Sequence, residues 1–187
     1  MRHLLHDLGF NAGMLYAAPQ MSLPLMFGSV EKSAITDYMI MDVLSYCRIC
    51  VFEDKRFTAM MEDTAVDSTG QVVAEGISVA QHNNVVSKKR SLGGSPKHDG
   101  MVNEVVYVIR FTGTVFHFYA IHVGDSILQA MYNQSPANED TVFYHYKSDE
   151  GLDFMVPSQR VEIIRMLSLL QLAVQSIGEK SIKKPSI

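Results

Sequence analysis

Cys47 and Cys50 are the two cysteines of the chain and stand three apart, as Cys47-Arg48-Ile49-Cys50. On a helix that spacing sets both sulfurs on one face, one turn apart, which suits a redox pair or half of a tetrahedral metal site. A zinc site needs two more ligands, and the sequence has no second C-x-x-C. His117 and His122 come nearest to a second pair, but five apart on a strand they point to opposite faces and do not chelate together. The reading is therefore two small, buried, reduced thiols with no metal and no cofactor, and two packed strand histidines. Asp149, Glu150 and Asp153 form an acidic turn, a composition that is ordinarily solvated unless further ligands converge on it. Lys88, Lys89, Arg90 and Lys97 would suit a phosphate or an acidic partner. No Phe, Tyr or Trp is interleaved with them, so base stacking has no support and a solvated loop is expected. No nucleophile, base and orienting group are linked by the sequence, and no catalytic residue is assigned.

Four short stretches are similar to known families. His3-Leu4-Leu5-His6-Asp7-Leu8-Gly9 resembles the core of HD-domain phosphohydrolases, which would imply a helical fold with His6 and Asp7 on a metal. That family also uses an upstream histidine, and none precedes His3 here; an amphipathic helix with exposed His and Asp explains the same residues. Val123-Gly124-Asp125-Ser126-Ile127 resembles the nucleophile block of GDSL-type hydrolases, which would imply Ser126 as nucleophile. The family's D-x-x-H does not follow; His145 is the one downstream histidine, and helix capping by Asp125 or Ser126 accounts for the block. The cysteine spacing resembles the thioredoxin signature in spacing alone: the Gly-Pro type interior and the preceding βαβ context are missing, and Pro157 is a poor match to that family's cis-proline. The segment FHFYAIHVGDSILQAM is loosely similar to small tail or neck components of tailed phages, which would imply a structural role in a virus.

The elements that must position these residues centre on Glu104–Val123, EVVYVIRFTGTVFHFYAIHV. Its β-branched and aromatic residues, broken once at Thr112-Gly113-Thr114, predict a hairpin of two long strands. Pairing Phe111 with Val115 puts Tyr107, Ile109 and Phe111 on one face with His117 and Tyr119, and Val106, Val108 and Arg110 on the other with Phe116 and Phe118. Both faces are largely apolar, so both must be covered. Ser33 to Cys50 carries Ile35, Met39, Val43, Tyr46 and Cys50 at helical spacing and predicts a helix. Gln71–Ala80 is expected as a strand with a weak point at Gly76. Ser87–Gly100, SKKRSLGGSPKHDG, is expected as a flexible loop open to proteolysis. Pro157 begins the strongest helix signal, about 158–177, whose Val161, Ile164, Leu167, Leu169, Leu170, Leu172, Ala173, Val174 and Ile177 cover well over half its circumference.

The composition is 47% hydrophobic with a net charge of −4, which gives no electrostatic reason to expect nucleic acid or a membrane surface as partner. Neither a secretory leader nor a membrane span is read from the N-terminal segment, so a soluble protein of a reducing, cytoplasmic compartment is expected. The predicted architecture is one α+β domain over 1–180: an antiparallel sheet built on the central hairpin (about 104–123), packed by the C-terminal helix (about 158–177) and a second helix (about 33–50). Residues 181–187 are expected as a disordered basic tail. The surplus of apolar surface, with twelve methionines, predicts a non-enzymatic binding or assembly protein. It would associate with itself or a protein partner through Phe116, Phe118, Tyr119, Leu169 and Leu172. The alternative is a small metal- or thiol-dependent enzyme using Cys47 and Cys50 or the His/Asp groups.

Overall fold

Gly113 and Thr114 join the two central strands, and this short turn determines which side chains share a face. Thr112 pairs with Val115 and Phe111 with Phe116, while Gly113 takes φ +60°, as a tight two-residue hairpin loop needs. The computed structural model describes residues 2–10, 13, 15–43, 48–55, 67–92, 104–136, 142–146 and 150–182. In chain order its elements are α1 (Arg2–Asp7), β1 (Leu15–Phe27), β2 (Val30–Asp42), β3 (Arg48–Lys55), α2 (Asp67–Leu92), β4 (Glu104–Thr112), β5 (Val115–Val123), α3 (Asp125–Asn133), β6 (Val142–His145), β7 (Leu152–Asp153) and α4 (Pro157–Ile182). The expected pairing of Phe111 with Val115 is one residue off. A slip of one residue exchanges the faces of a whole strand. Phe116 and Phe118 therefore join Tyr107, Ile109 and Phe111, and their rings form the series Phe111–Phe116–Phe118 with centroids 5.5 and 6.3 Å apart.

The strands form one sheet in the order β1-β2-β3-β4-β5-β6, with β7 also paired to β5. All described pairings are antiparallel except β3 with β4, which run parallel and are joined through α2. Helices lie on both faces. On one, α1 and α4 bury Leu5, Ile163, Leu167, Leu170 and Val174 against Ile40, Phe52, Ile109 and Phe118. On the other, α2 and α3 bury Val72, Val79, Ile127 and Leu128 against Met39, Val51, Val108 and Ile121. Each such large side chain contributes roughly 1.5–3 kcal/mol relative to exposure. The chain is thus an α+β domain with a mostly antiparallel sheet and a C-terminal helix, and its own helices cover the hairpin on both sides.

Two elements differ in type from expectation. The segment 33–50 is not a helix: its first part lies in β2 and Arg48 to Cys50 begins β3. Ile35 and Val43, which would have marked a buried helical stripe, are exposed, whereas the consecutive Met39 and Ile40 are both fully buried. Adjacent buried residues are the mark of a strand covered on both faces. Conversely, Gln71–Ala80 is not a strand but part of α2. Its buried face includes Glu75, Ser78, Gln81, Asn83 and Asn84, so polar residues mask the apolar periodicity. At Gly76 α2 lies close against the sheet: a Cβ there would stand 2.5 Å from Ile121 Cδ1. The helix also takes in Ser87–Leu92 of the expected loop; 93–100 lie outside the described residues, as do 183–187 of the expected tail.

Gln81 ties α2 to the rim of the sheet. Its side-chain oxygen accepts from Met26 N–H at 2.8 Å and its side-chain N–H₂ donates to Met26 C=O at 3.0 Å. A glutamine thus stands in for a neighbouring strand at the edge of β1. Pro24, two residues back with the same strand orientation, has no N–H to leave unpaired there. The nearby turn, Gly28-Ser29, has its glycine at φ +56°, and Gly28 N–H donates to Met131 C=O of α3 at 2.9 Å. Among the described residues no helix is long and apolar enough to cross a membrane.

Candidate binding cavity

Two rows of the sheet prepare the site. Across β3, β4, β5 and β6 the register places Cys50, Tyr107, Ala120 and Tyr144 side by side. The next row is Phe52, Ile109 and Phe118, and Tyr146 N–H extends it by donating to Phe118 C=O at 3.0 Å. Ala120 is the small member of its row, so the floor is low between two tyrosines. Helix α4 passes above and presents Met166, Leu169, Leu170 and Ala173. Between floor and roof lies a cavity of about 510 Å³, within the size range of small-molecule sites. Tyr119 and His145 border it through their backbone, because strand alternation sends their side chains to the opposite face.

Helix α4 is held over the sheet by a polar frame at its first turns. Asp153 N–H donates to Gln159 Oε1 at 2.6 Å, Arg160 Nε–H donates to Phe154 C=O at 2.8 Å, and the Arg160 guanidinium lies 5.2 Å from the Phe154 ring centre. Phe154 N–H in turn donates to Thr114 C=O of the hairpin loop at 2.8 Å. Beside the cavity, Tyr146 O–H donates to Glu162, which also receives Arg165 Nη2–H at 2.7 Å. The hydrogen bond to Glu162 holds the Arg165 guanidinium still more firmly protonated. The Met155 backbone N–H, and then the Thr114 hydroxyl, keep the Asp153 carboxyl below its ordinary range.

Of the five named for interaction, Phe116, Phe118 and Tyr119 lie inside the core at 6–7% exposure, and Leu169 and Leu172 are on the surface at 50% and 59%. Phe118 and Leu169 line the cavity, and Tyr119 borders it through its backbone. Helix α4 is not buried nearly all round: it buries the stripe Ile163, Leu167, Leu170 and Val174 and leaves Val161 outside with the two leucines. Cys50 lies in β3 rather than on a helix, and burial pushes its thiol pKa well up; Cys47 lies outside the described residues. Among the described residues no group of three His, Cys, Asp or Glu is placed to hold a metal.

His6 and Asp7 are exposed at the end of α1, 3.5 Å apart. Ser126 is in the first turn of α3, where Gly124 is the N-cap and makes no side-chain capping bond; neither Asp125 nor Ser126 is the cap. His145 pairs with Tyr119, four residues and about 13 Å along β5 from Val123, so it belongs to another part of the molecule. Its partner is His117, with Nδ1 and Nε2 3.4 Å apart, in a stack where the Tyr119 and His145 ring centres are 4.4 Å apart. Arg110, cross-strand from His117, buries Nε and Nη1, and neither atom has a hydrogen-bond partner among the described residues. His122 faces away from both, as its spacing required. Glu150 is exposed; Asp149 and Lys97 lie outside the described residues, and Lys88, Lys89 and Arg90 fall in the last turns of α2.

None of Tyr107, Ala120, Tyr144, Tyr146 and Ala173 stands out in the sequence as a site residue. They form no motif, and their convergence depends on the hairpin register. No protein-family model, curated protein or solved structure matches the chain.

Proposed function

We propose that this chain is a non-enzymatic binding protein whose site is the cavity between α4 and strands β4, β5 and β6. The observation that carries this reading is an apolar space of about 510 Å³ with tyrosines around it. Such a space, enclosed mostly by apolar side chains with a few polar groups, is the common form of a small-ligand site. Its described lining offers hydroxyls for orientation and no paired nucleophile and base, which supports binding over turnover. The test is calorimetry with two small apolar alcohols, 1-octanol and 2-naphthol, against wild type and Ala173→Phe, which fills the space from the roof. Binding by wild type that is lost in a cooperatively folding Ala173→Phe protein is expected. Absence of binding by either alcohol, or equal binding by both proteins, would overturn the reading.

A second feature supports a protein partner. Val161, Leu169 and Leu172 expose large apolar side chains along one side of α4, and Tyr144 is 64% exposed beside Leu169 at the cavity. Soluble monomers seldom leave such surface uncovered, so we propose that this side of α4 also meets a second copy or another protein. Solution mass across a dilution series tests self-association. A strictly monomeric protein at high micromolar concentration rejects it.

A further inference from the structure

Building on the cavity as the binding site, we infer that its ligand is a planar aromatic group held on edge between the rings of Tyr107 and Tyr144. Those residues occupy one row of the sheet with Ala120 between them. Two strand spacings separate their backbones by roughly 9.5 Å. Aromatic rings prefer centroid separations of about 4.5–7 Å, so one further ring placed midway makes two favourable contacts near the short end of that range. A two-ring spacing with no ring in the middle is what a stacked guest requires. Ala120 keeps the floor clear for it, and any larger side chain at that position would fill the slot. The roof repeats the device, since Ala173 lies among the larger Met166, Leu169 and Leu170. A saturated chain would gain the same burial but not the two ring contacts.

The geometry also indicates how a guest enters. Tyr144 is largely exposed while Tyr107 is half-buried, so one wall of the slot is on the surface and the other belongs to the core. The hydroxyls of Tyr107 and Tyr144 make the guest's outer edge a place for a phenol-type hydroxyl or ring nitrogen rather than a charged group, because no unpaired charge is present in the lining described.

The test compares 2-naphthol with its saturated analogue, decahydro-2-naphthol, by calorimetry. The two share size and hydroxyl and differ in planarity and π-surface. Wild type should prefer the aromatic alcohol by about tenfold, the return of two ring contacts. Tyr144→Leu, a change at an exposed position, should keep the fold and reduce that preference about threefold. Tyr107→Leu, with folding checked by cooperative thermal unfolding, should do the same. Equal affinity for the two alcohols overturns the aromatic assignment and leaves the cavity reading standing. A preference unchanged in both leucine variants overturns the tyrosine slot. Binding of neither alcohol overturns this inference together with the site on which it rests.

Discussion

Replacing Gly76 by alanine should destabilise the protein, although the same change in an unobstructed helix stabilises. Alanine gains about 1 kcal/mol over glycine in a helix interior. Here the new methyl would lie 2.5 Å from Ile121 Cδ1 and 3.2 Å from Ile121 Cβ. Ile121 is fully buried, so its terminal methyl has no free space to enter, and its Cβ moves only with β5. Overpacking of this kind costs about 1–3 kcal/mol. The difference leaves a net loss of about 1 kcal/mol. Ile121→Val removes Cδ1 and by itself costs about 1 kcal/mol. On that background the 2.5 Å contact is gone and the milder approach to Cβ at 3.2 Å remains, so Gly76→Ala should become stabilising, by up to about 1 kcal/mol. The pair is therefore coupled by about 2 kcal/mol, and Gly76→Ala changes sign with the residue opposite. Urea titration of the four proteins measures this directly, with midpoint shifts of about 0.5 M and an unchanged slope. A Gly76→Ala protein more stable than wild type, or an equal effect on both backgrounds, would refute the account of why α2 carries a glycine there.

Gln81→Ala should cost about 2–4 kcal/mol, since Met26 loses partners for both its N–H and its C=O, and amide exchange at Met26 should accelerate; a loss below about 0.5 kcal/mol would show that water replaces the clamp freely. In a Cys47→Ser protein, Cys50 should ignore a disulfide reagent at mildly alkaline pH until the fold is opened with guanidinium, because burial raises its pKa and blocks access; prompt native-state labelling would contradict its placement in β3. The Asp153 carboxyl titrates below its ordinary 3.8 in the folded protein, so its contribution to stability is present above that pH and fades as pH falls through the folded value. Asp153→Asn should thus lower the Tm near neutrality and converge with wild type in strong acid, whereas a gap independent of pH would assign the effect to something other than charge.

The parts of the fold legible in the sequence were those with one dominant signal. The hairpin's two strands, the need to cover both their faces, and the Pro157 start of α4 follow from composition and a first-turn proline. The cover for the second face was misplaced because α2 buries Glu75, Gln81 and Asn83 among its valines, so its helical period is invisible to a hydrophobicity pattern. Met39 looks helical for the opposite reason: it and Ile40 are both buried in a strand covered on both sides, where alternation disappears. The cavity was out of reach for a third. Tyr107, Ala120 and Tyr144 meet only in the register that pairs Thr112 with Val115, and the alternative three-residue turn sends Ala120 to the other face.

The parallel seam between β3 and β4 has a consequence for how the chain reaches its native state. On one side of it, β1, β2 and β3 zip up as neighbours; on the other, β4, β5, β6 and β7 do the same. Cys50 and Tyr107 meet only after the whole of α2 and its flanks have been spanned. Local pairings form with little loop entropy, and distant ones wait. Loop entropy thus favours assembly from two meanders, with their docking along one line as the later event. Until that line closes, both β3 and β4 present free backbone edges of six or more residues. The same sheet whose β1 border is guarded by Gln81 therefore passes through a stage with adhesive borders in its middle, and crowding during synthesis would act there first.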